Sequence, residues 1–99
     1  MGIDCGTAIM GWAVLENVGS KFTHVDSGAI ITPAKTDMSL RLKTIYAELS
    51  ELLEKYQPDD VALEDLFFFK NSKTVISVSQ ARGVAIVAAA NKGLRTYDY

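Results

Sequence analysis

The chain has 99 residues, of which 48% are hydrophobic and 22% charged, with a formal net charge of −2 and a single cysteine, Cys5. That length holds one small core, and the composition is that of an ordinary globular protein, not a disordered or collagen-like one. No apolar run approaches the roughly 18 residues of a membrane span. The lone Cys5 closes no internal disulfide, and residues 1–6 lack the basic and apolar regions of a secretory signal, so a reducing, cytoplasmic setting is expected.

The opening residues, Met1 to Asp4, read as the tail of a strand that is short against the usual five or six residues. Residues 11–17 and 22–32 are rich in Val, Ile, Trp and Phe and read as two strands. The hairpin-length link Val18-Gly19-Ser20-Lys21 joins them. Residues 39–56 have a helical period, with Leu42, Ile45, Leu49, Leu52, Leu53 and Tyr56 at steps of three and four. Asp37 or Ser39 is placed to cap that helix, and Pro58 to end it. The short apolar run Val61-Ala62-Leu63 reads as a buried strand ending at Glu64. Residues 74–91 read as a second helix, apolar nearly all round and hence buried or in a subunit contact. Within it Gly83 points to a close approach by another element, and Gly93 suits the position just past its end. Arg95 to Tyr99 begin a last strand. The order β-β-β-α-β-α-β predicts an α/β fold: a mixed sheet, three antiparallel strands and then parallel ones, flanked by helices.

Charge is unevenly distributed along this order. Seven acids and one lysine fall in residues 44–65, whereas residues 66–97 hold Lys70, Lys73, Arg82, Lys92 and Arg95 and no acid. Such asymmetry leaves one face basic enough to attract phosphates, or simply marks a solvated helix face.

Two acids stand where chemistry is expected. Asp4 ends a strand beside a glycine turn, where ligands bind in α/β sheets; a plain turn-forming Asp is the alternative. Glu64 ends an apolar run, where an unpaired buried carboxylate costs several kcal/mol, so it needs a cation, a metal or an exit to water. Asp65, next along, faces the other way if the strand continues and ranks below it. Together, Asp4 and Glu64 can end adjacent strands, and carboxylate oxygens suit Mg²⁺, or Mn²⁺, better than zinc. Two such ions roughly 3.5–4 Å apart activate water and stabilise a leaving oxygen in phosphodiester cleavage, a task for which two carboxylates are few. Phe67, Phe68 and Phe69 cannot all face one core, so a ring exposed beside Lys70 and Asn71 can stack on bases while lysine meets phosphate; all three packing beneath the loop is the alternative. His24 has no ligand cluster around it, Cys5 has no histidine partner nearby in sequence, and neither dinucleotide nor P-loop fingerprints occur.

These residues resemble the RuvC family of Holliday junction resolvases. The resemblance is carried by Gly2-Ile3-Asp4 with Gly6 and Gly11, by residues 39–46 (SLRLKTIY), and by Pro58-Asp59 with Ala62-Leu63-Glu64. Phe67 with Lys70-Asn71 and residues 80–90 (QARGVAIVAAA) complete it, in collinear order over essentially the whole chain. It implies an RNase H-like nuclease domain over residues 1–99, acting as a homodimer on four-way junction DNA with divalent metal. Asp4 and Glu64 match the first two of the four acids that the family uses. The resemblance places the other two on a C-terminal helix that this chain is expected to lack. It makes Phe67 the aromatic that opens the junction, with Lys70, Asn71 and Lys73 at the DNA, and the helix around residues 80–90 part of the dimer contact. A branch-migration complex is the implied partner. Cys5 stands where the family usually has proline. A metal-dependent junction endonuclease is thus the leading expectation, and a non-catalytic DNA-binding or dimerisation remnant of the same scaffold the alternative. A phosphotransferase half of the same fold type is disfavoured by the Lys70-Asn71 loop and the residues 80–83 (QARG).

Overall fold

Strand β1 (Gly2–Asp4) lies between β2 (Ile9–Val18), antiparallel to it, and β4 (Asp60–Leu63), parallel to it. The computed structural model, which describes residues 1–64 and 72–99, completes the sheet with β3 (Lys21–Ile31) and β5 (Arg95–Asp98) in the order β3-β2-β1-β4-β5. β2 and β3 form the expected hairpin, two residues longer at its tip than to be read from the apolar runs. Gly19 makes the turn at φ +65°, a conformation that costs a residue with a Cβ. Thr32 lies outside β3, and a register shift sits opposite Val14 and Leu15.

Helices α1 (Met38–Tyr56) and α2 (Ser72–Asn91) begin one and two residues earlier than the periodicity indicated. Asp37 is the N-cap of α1, but its side chain makes no capping hydrogen bond; the cap is made by its backbone carbonyl, which accepts from Leu40 and Arg41 at 3.0 Å each. At the other end Gln57 turns left-handed (φ 43°) just before Pro58, and its N–H closes on the Leu53 carbonyl at 2.9 Å. α2 ends as expected at Gly93, with φ +74°.

The core lies between one sheet face and the two helices. Ile3, Met10, Ile30, Val61 and Leu63 from the sheet meet Ile45, Leu49 and Leu53 of α1 and a stripe of Val78, Ala81, Ala85, Ala88 and Ala89 on α2. The stripe by which α2 meets α1 and the sheet is mostly alanine, so the helix packs there through small side chains. The structure corrects the expectation at Gly83: among the described residues a Cβ there would meet nothing within 4 Å, so none of the described elements presses on it. Val84 packs on the core, while Val87 and Ile76 are exposed. Among the described residues no helix is long and apolar enough to cross a membrane.

Far from the strand ends, the Tyr56 hydroxyl donates to the Asp26 carboxylate, and its ring lies 5.7 Å from that of Trp12. This bond, then the Ser27 N–H, holds the Asp26 carboxyl below its ordinary value of 3.8. A carboxyl depressed in the fold stabilises above its ordinary value, and that contribution is lost as the pH falls through the folded one. Tyr56→Phe is therefore expected to lower the melting temperature slightly at neutral pH. Melts of both proteins should converge as the pH falls below 3.8; a gap that persists in acid would assign the effect to packing.

Candidate active site

Register brings the two sequence-predicted acids together. In the parallel pair β1·β4, Gly2 faces Ala62 and Ile3 faces Leu63, and the Glu64 N–H donates to the Ile3 carbonyl at 3.0 Å. Asp4, the last residue of β1, and Glu64, the first residue past β4, come next. Ile3 and Leu63 are fully buried under the helices, so alternation turns Asp4 and Glu64 to the helix-free face. Their contact is electrostatically costly. The Glu64 carboxyl is raised above its ordinary 4.5, first by a hydrogen bond with Asp4, then by the Asp4 charge, then by burial. Two carboxylates in such contact hold a proton between them more readily than either alone, and a divalent cation would relieve the same repulsion.

An open cleft of about 1070 Å³ runs along this face to Asp4, over a floor of Gly2, Gly11, Ala13 and Ala62. Tyr99 flanks it. Its N–H donates to the Leu63 carbonyl at 2.9 Å, which sets it beside Glu64. Burial, followed by the charges of Glu64 and Asp4, raises its phenol. Behind the acids lies Cys5, 4% exposed, whose thiol burial pushes up to about 11 against the opposing pull of Arg82. Such a thiol is protonated at neutral pH and is no nucleophile, as the absence of a histidine partner indicated.

A polar chain holds the loop that follows Asp4. The Thr7 hydroxyl donates to the Ser77 carbonyl of α2 at 2.9 Å, and the Thr32 hydroxyl donates to the Thr7 carbonyl at 2.5 Å. Arg41 Nε of α1 in turn donates to Thr32 Oγ1 at 3.0 Å. Gly6 is required in this loop, because a Cβ would collide with the Ile9 carbonyl oxygen. Across the site Arg82 of α2 pairs with Asp98 of β5.

Of the remaining sequence-predicted residues, Phe67, Lys70 and Asn71 lie outside the described residues, as do Asp65 and the side chain of Lys73. Of the other basic residues in 66–97, Arg82 is paired with Asp98 and Lys92 with Glu54 at 2.9 Å. His24 is an exposed strand residue bonded to Ser27 at 3.0 Å. No group of three or more His, Cys, Asp or Glu side chains able to hold a metal occurs among the described residues. Thr7, Thr32, Arg41 and Tyr99 were not singled out from the sequence. Thr7 and Thr32 are 25 residues apart and meet only through the strand order, so no local pattern marks them.

A three-stranded antiparallel meander extended by two parallel strands, with both helices on one face and an acid ending each of the two central parallel strands, is the RNase H-like arrangement. Residues 1–99 match the family described as Crossover junction endodeoxyribonuclease RuvC. The chain belongs to that family. Relatives of that description include those of Caldanaerobacter subterraneus, 44% identical, and Chloroflexus aggregans, 48% identical, each aligned over the whole chain. The chain spans 60% of the length of both. Among solved structures, Thermus thermophilus RuvC in complex with a Holliday junction substrate superposes with a TM-score of 0.93 at 29% identity, over 99% of this chain and 60% of that one. The Aquifex aeolicus PPX-GPPA enzyme matches with a TM-score of 0.55 at 13% identity, over 99% of this chain and 34% of its own, which shows the fold alone.

Proposed function

We propose that this chain is the strand-bearing part of a metal-dependent endonuclease that cleaves four-way junction DNA, with Asp4 and Glu64 as two of its metal ligands. The observation that carries the reading is the pairing of the two acids at the ends of adjacent parallel strands, with the Glu64 carboxyl raised by Asp4. A fold gains no stability from two like charges in contact, and a cation between them is the simplest reason to keep them. All-oxygen ligands of this kind fit Mg²⁺, with Mn²⁺ as substitute. Bound there, the ion supplies the activation of water and the stabilisation of the leaving phosphodiester oxygen. The residues' own part is to hold carboxylate oxygens beside a cleft that Asp4 lines and whose glycine and alanine floor leaves room above it. With two carboxylates, binding is weak, because Mg²⁺ gives up its water only where several oxygens converge; further acids come from outside the described residues.

In this reading residues 1–99 form a single RNase H-like nuclease domain. Phe67 stacks at the junction centre, and Lys70, Asn71 and Lys73 contact the backbone. The exposed Ile76 and Val87 on α2 support a homodimer, whose two-fold axis suits a four-way junction. A branch-migration complex as partner and a cytoplasmic location complete the proposal.

Mn²⁺ titration followed by NMR tests the metal site. Resonances of Asp4, Glu64 and Ile3 are expected to broaden first, and Glu64→Gln to abolish that selectivity. Broadening that is uniform over all surface carboxylates would dismiss the metal site and leave the non-catalytic DNA-binding or dimerisation reading.

A further inference from the structure

We propose that Arg41 is a DNA-backbone phosphate ligand, oriented by Thr32 at the same end of the sheet as the carboxylate pair. The inference rests on the nuclease reading above and adds to it a contact on α1, away from the segment around Phe67.

Three observations carry it. The first is the way the side chain is held. A threonine hydroxyl has one proton and two lone pairs. Thr32, 3% exposed, gives its proton to the Thr7 carbonyl, so its lone pairs face Arg41 and accept from Nε. The guanidinium is thereby anchored through its inner nitrogen, with the Arg41 stem half-buried. The second is charge. Among the described residues the ion pairs are Arg82–Asp98 and Lys92–Glu54, and no carboxylate neutralises Arg41. A tether between α1 and the sheet needs only a neutral donor. The two outer nitrogens of a guanidinium anchored at Nε form the planar fork that matches phosphate oxygens, and fixing the fork beforehand lowers the entropy lost on binding.

The third is place. β1, β4 and β5 run towards the acid end, β2 starts there, and β3 finishes there at Ile31, directly before Thr32. Thr7 is three residues past Asp4 and bonds to Ser77 in the second turn of α2, close behind residues 65–71 in the chain. Arg41, Thr32, Thr7 and Ser77 thus form a continuous row from α1 to the start of α2, past the loop after the first acid. Backbone running across that end of the sheet to the acids passes this row.

The test is anisotropy of the chain with a labelled four-way junction and with a duplex of equal length, over a salt series. Each phosphate contact contributes about 0.9 to the slope of log affinity against log salt, or about 3.5-fold in affinity between roughly 50 and 200 mM salt. Arg41→Gln keeps a donor for Thr32 but removes the charge. Its slope is expected to fall by about 0.9, with both DNAs weakened alike, since a backbone contact carries no sequence or shape preference. A folded Arg41→Gln with the wild-type slope would overturn the proposal and leave Arg41 a tether. Should the variant not fold, the unsubstituted chain decides: the Arg41 Nη–H signals must shift on addition of duplex, and unmoved signals in the bound chain overturn it. If the unsubstituted chain binds neither DNA, the nuclease reading falls as well. Binding with an unchanged slope removes only the Arg41 contact.

Discussion

Leu63→Ala is expected to lower the melting temperature of the chain by at least about 10 °C. Leu63 is fully buried, in the strand adjoining β1 and one residue before Glu64. Truncation to alanine removes three carbons from a site enclosed by sheet and helices, a change that costs about 2–5 kcal/mol where the cavity cannot collapse. In a domain of this size each kcal/mol corresponds to about 4–8 °C. The total stability of such a domain is about 5–15 kcal/mol, so one side chain carries a large share of it. Leu40→Ala is the control: Leu40 is 52% exposed on α1 and should shift the transition by only a degree or two, about the size of ordinary surface changes. Equal losses at both positions in thermal melts would mean that the core does not lie where the structure places it.

Glu64→Gln should do the opposite, and its sign depends on pH. Glu64 is raised in the fold by Asp4. A carboxyl whose folded value exceeds its ordinary 4.5 favours folding while protonated, and stability declines as the pH climbs through the folded value. At neutral pH, without divalent metal, the wild-type chain therefore carries an unrelieved repulsion that Glu64→Gln removes. Water screens such a pair, so the gain is at most about 1 kcal/mol, a rise of a few °C. The gain should vanish in acid below 4.5, where Glu64 is neutral in either state. Saturating Mg²⁺ should instead raise the wild-type transition and leave the variant nearly unmoved, since ligand binding to the folded state alone stabilises it by mass action. A variant less stable than wild type at neutral pH would show that the acids support the fold, contrary to the metal-site reading. In a chimera joined to the unmatched part of the Caldanaerobacter relative, the same substitution should leave junction binding nearly intact and reduce cleavage by several orders of magnitude.

The local features were readable because they depend on short-range physics. The three- and four-residue steps of Leu42, Ile45, Leu49 and Leu53 can be satisfied only by a helix with one buried face, and α1 buries Ile45, Leu49 and Leu53. Gly19 and Gly93 occupy backbone conformations that other residues adopt at a cost, and both end elements where expected. Apolar strand ends carrying Asp4 and Glu64 stood out because charge next to a core is expensive. Gly83 misled for a related reason. A helical glycine signals either close approach or mere tolerance, and composition cannot separate the two; the open space beside it did. The partners of Arg82 and Lys92 were not legible in the basic stretch, since those acids come from β5 and α1.

By itself the sequence determined the element order, the faces of α1 and the two acids on which chemistry would centre, because hydrophobic period, turn geometry and the cost of burying charge are local properties. Only the tertiary structure decided that Asp4 and Glu64 touch, through a register set by Ile3 opposite Leu63. It likewise decided that Thr7, Thr32 and Arg41 form one chain. Those contacts join residues 60, 25 and 9 positions apart in sequence. Strand order and sheet direction create such neighbours, and neither is encoded in any short stretch of residues.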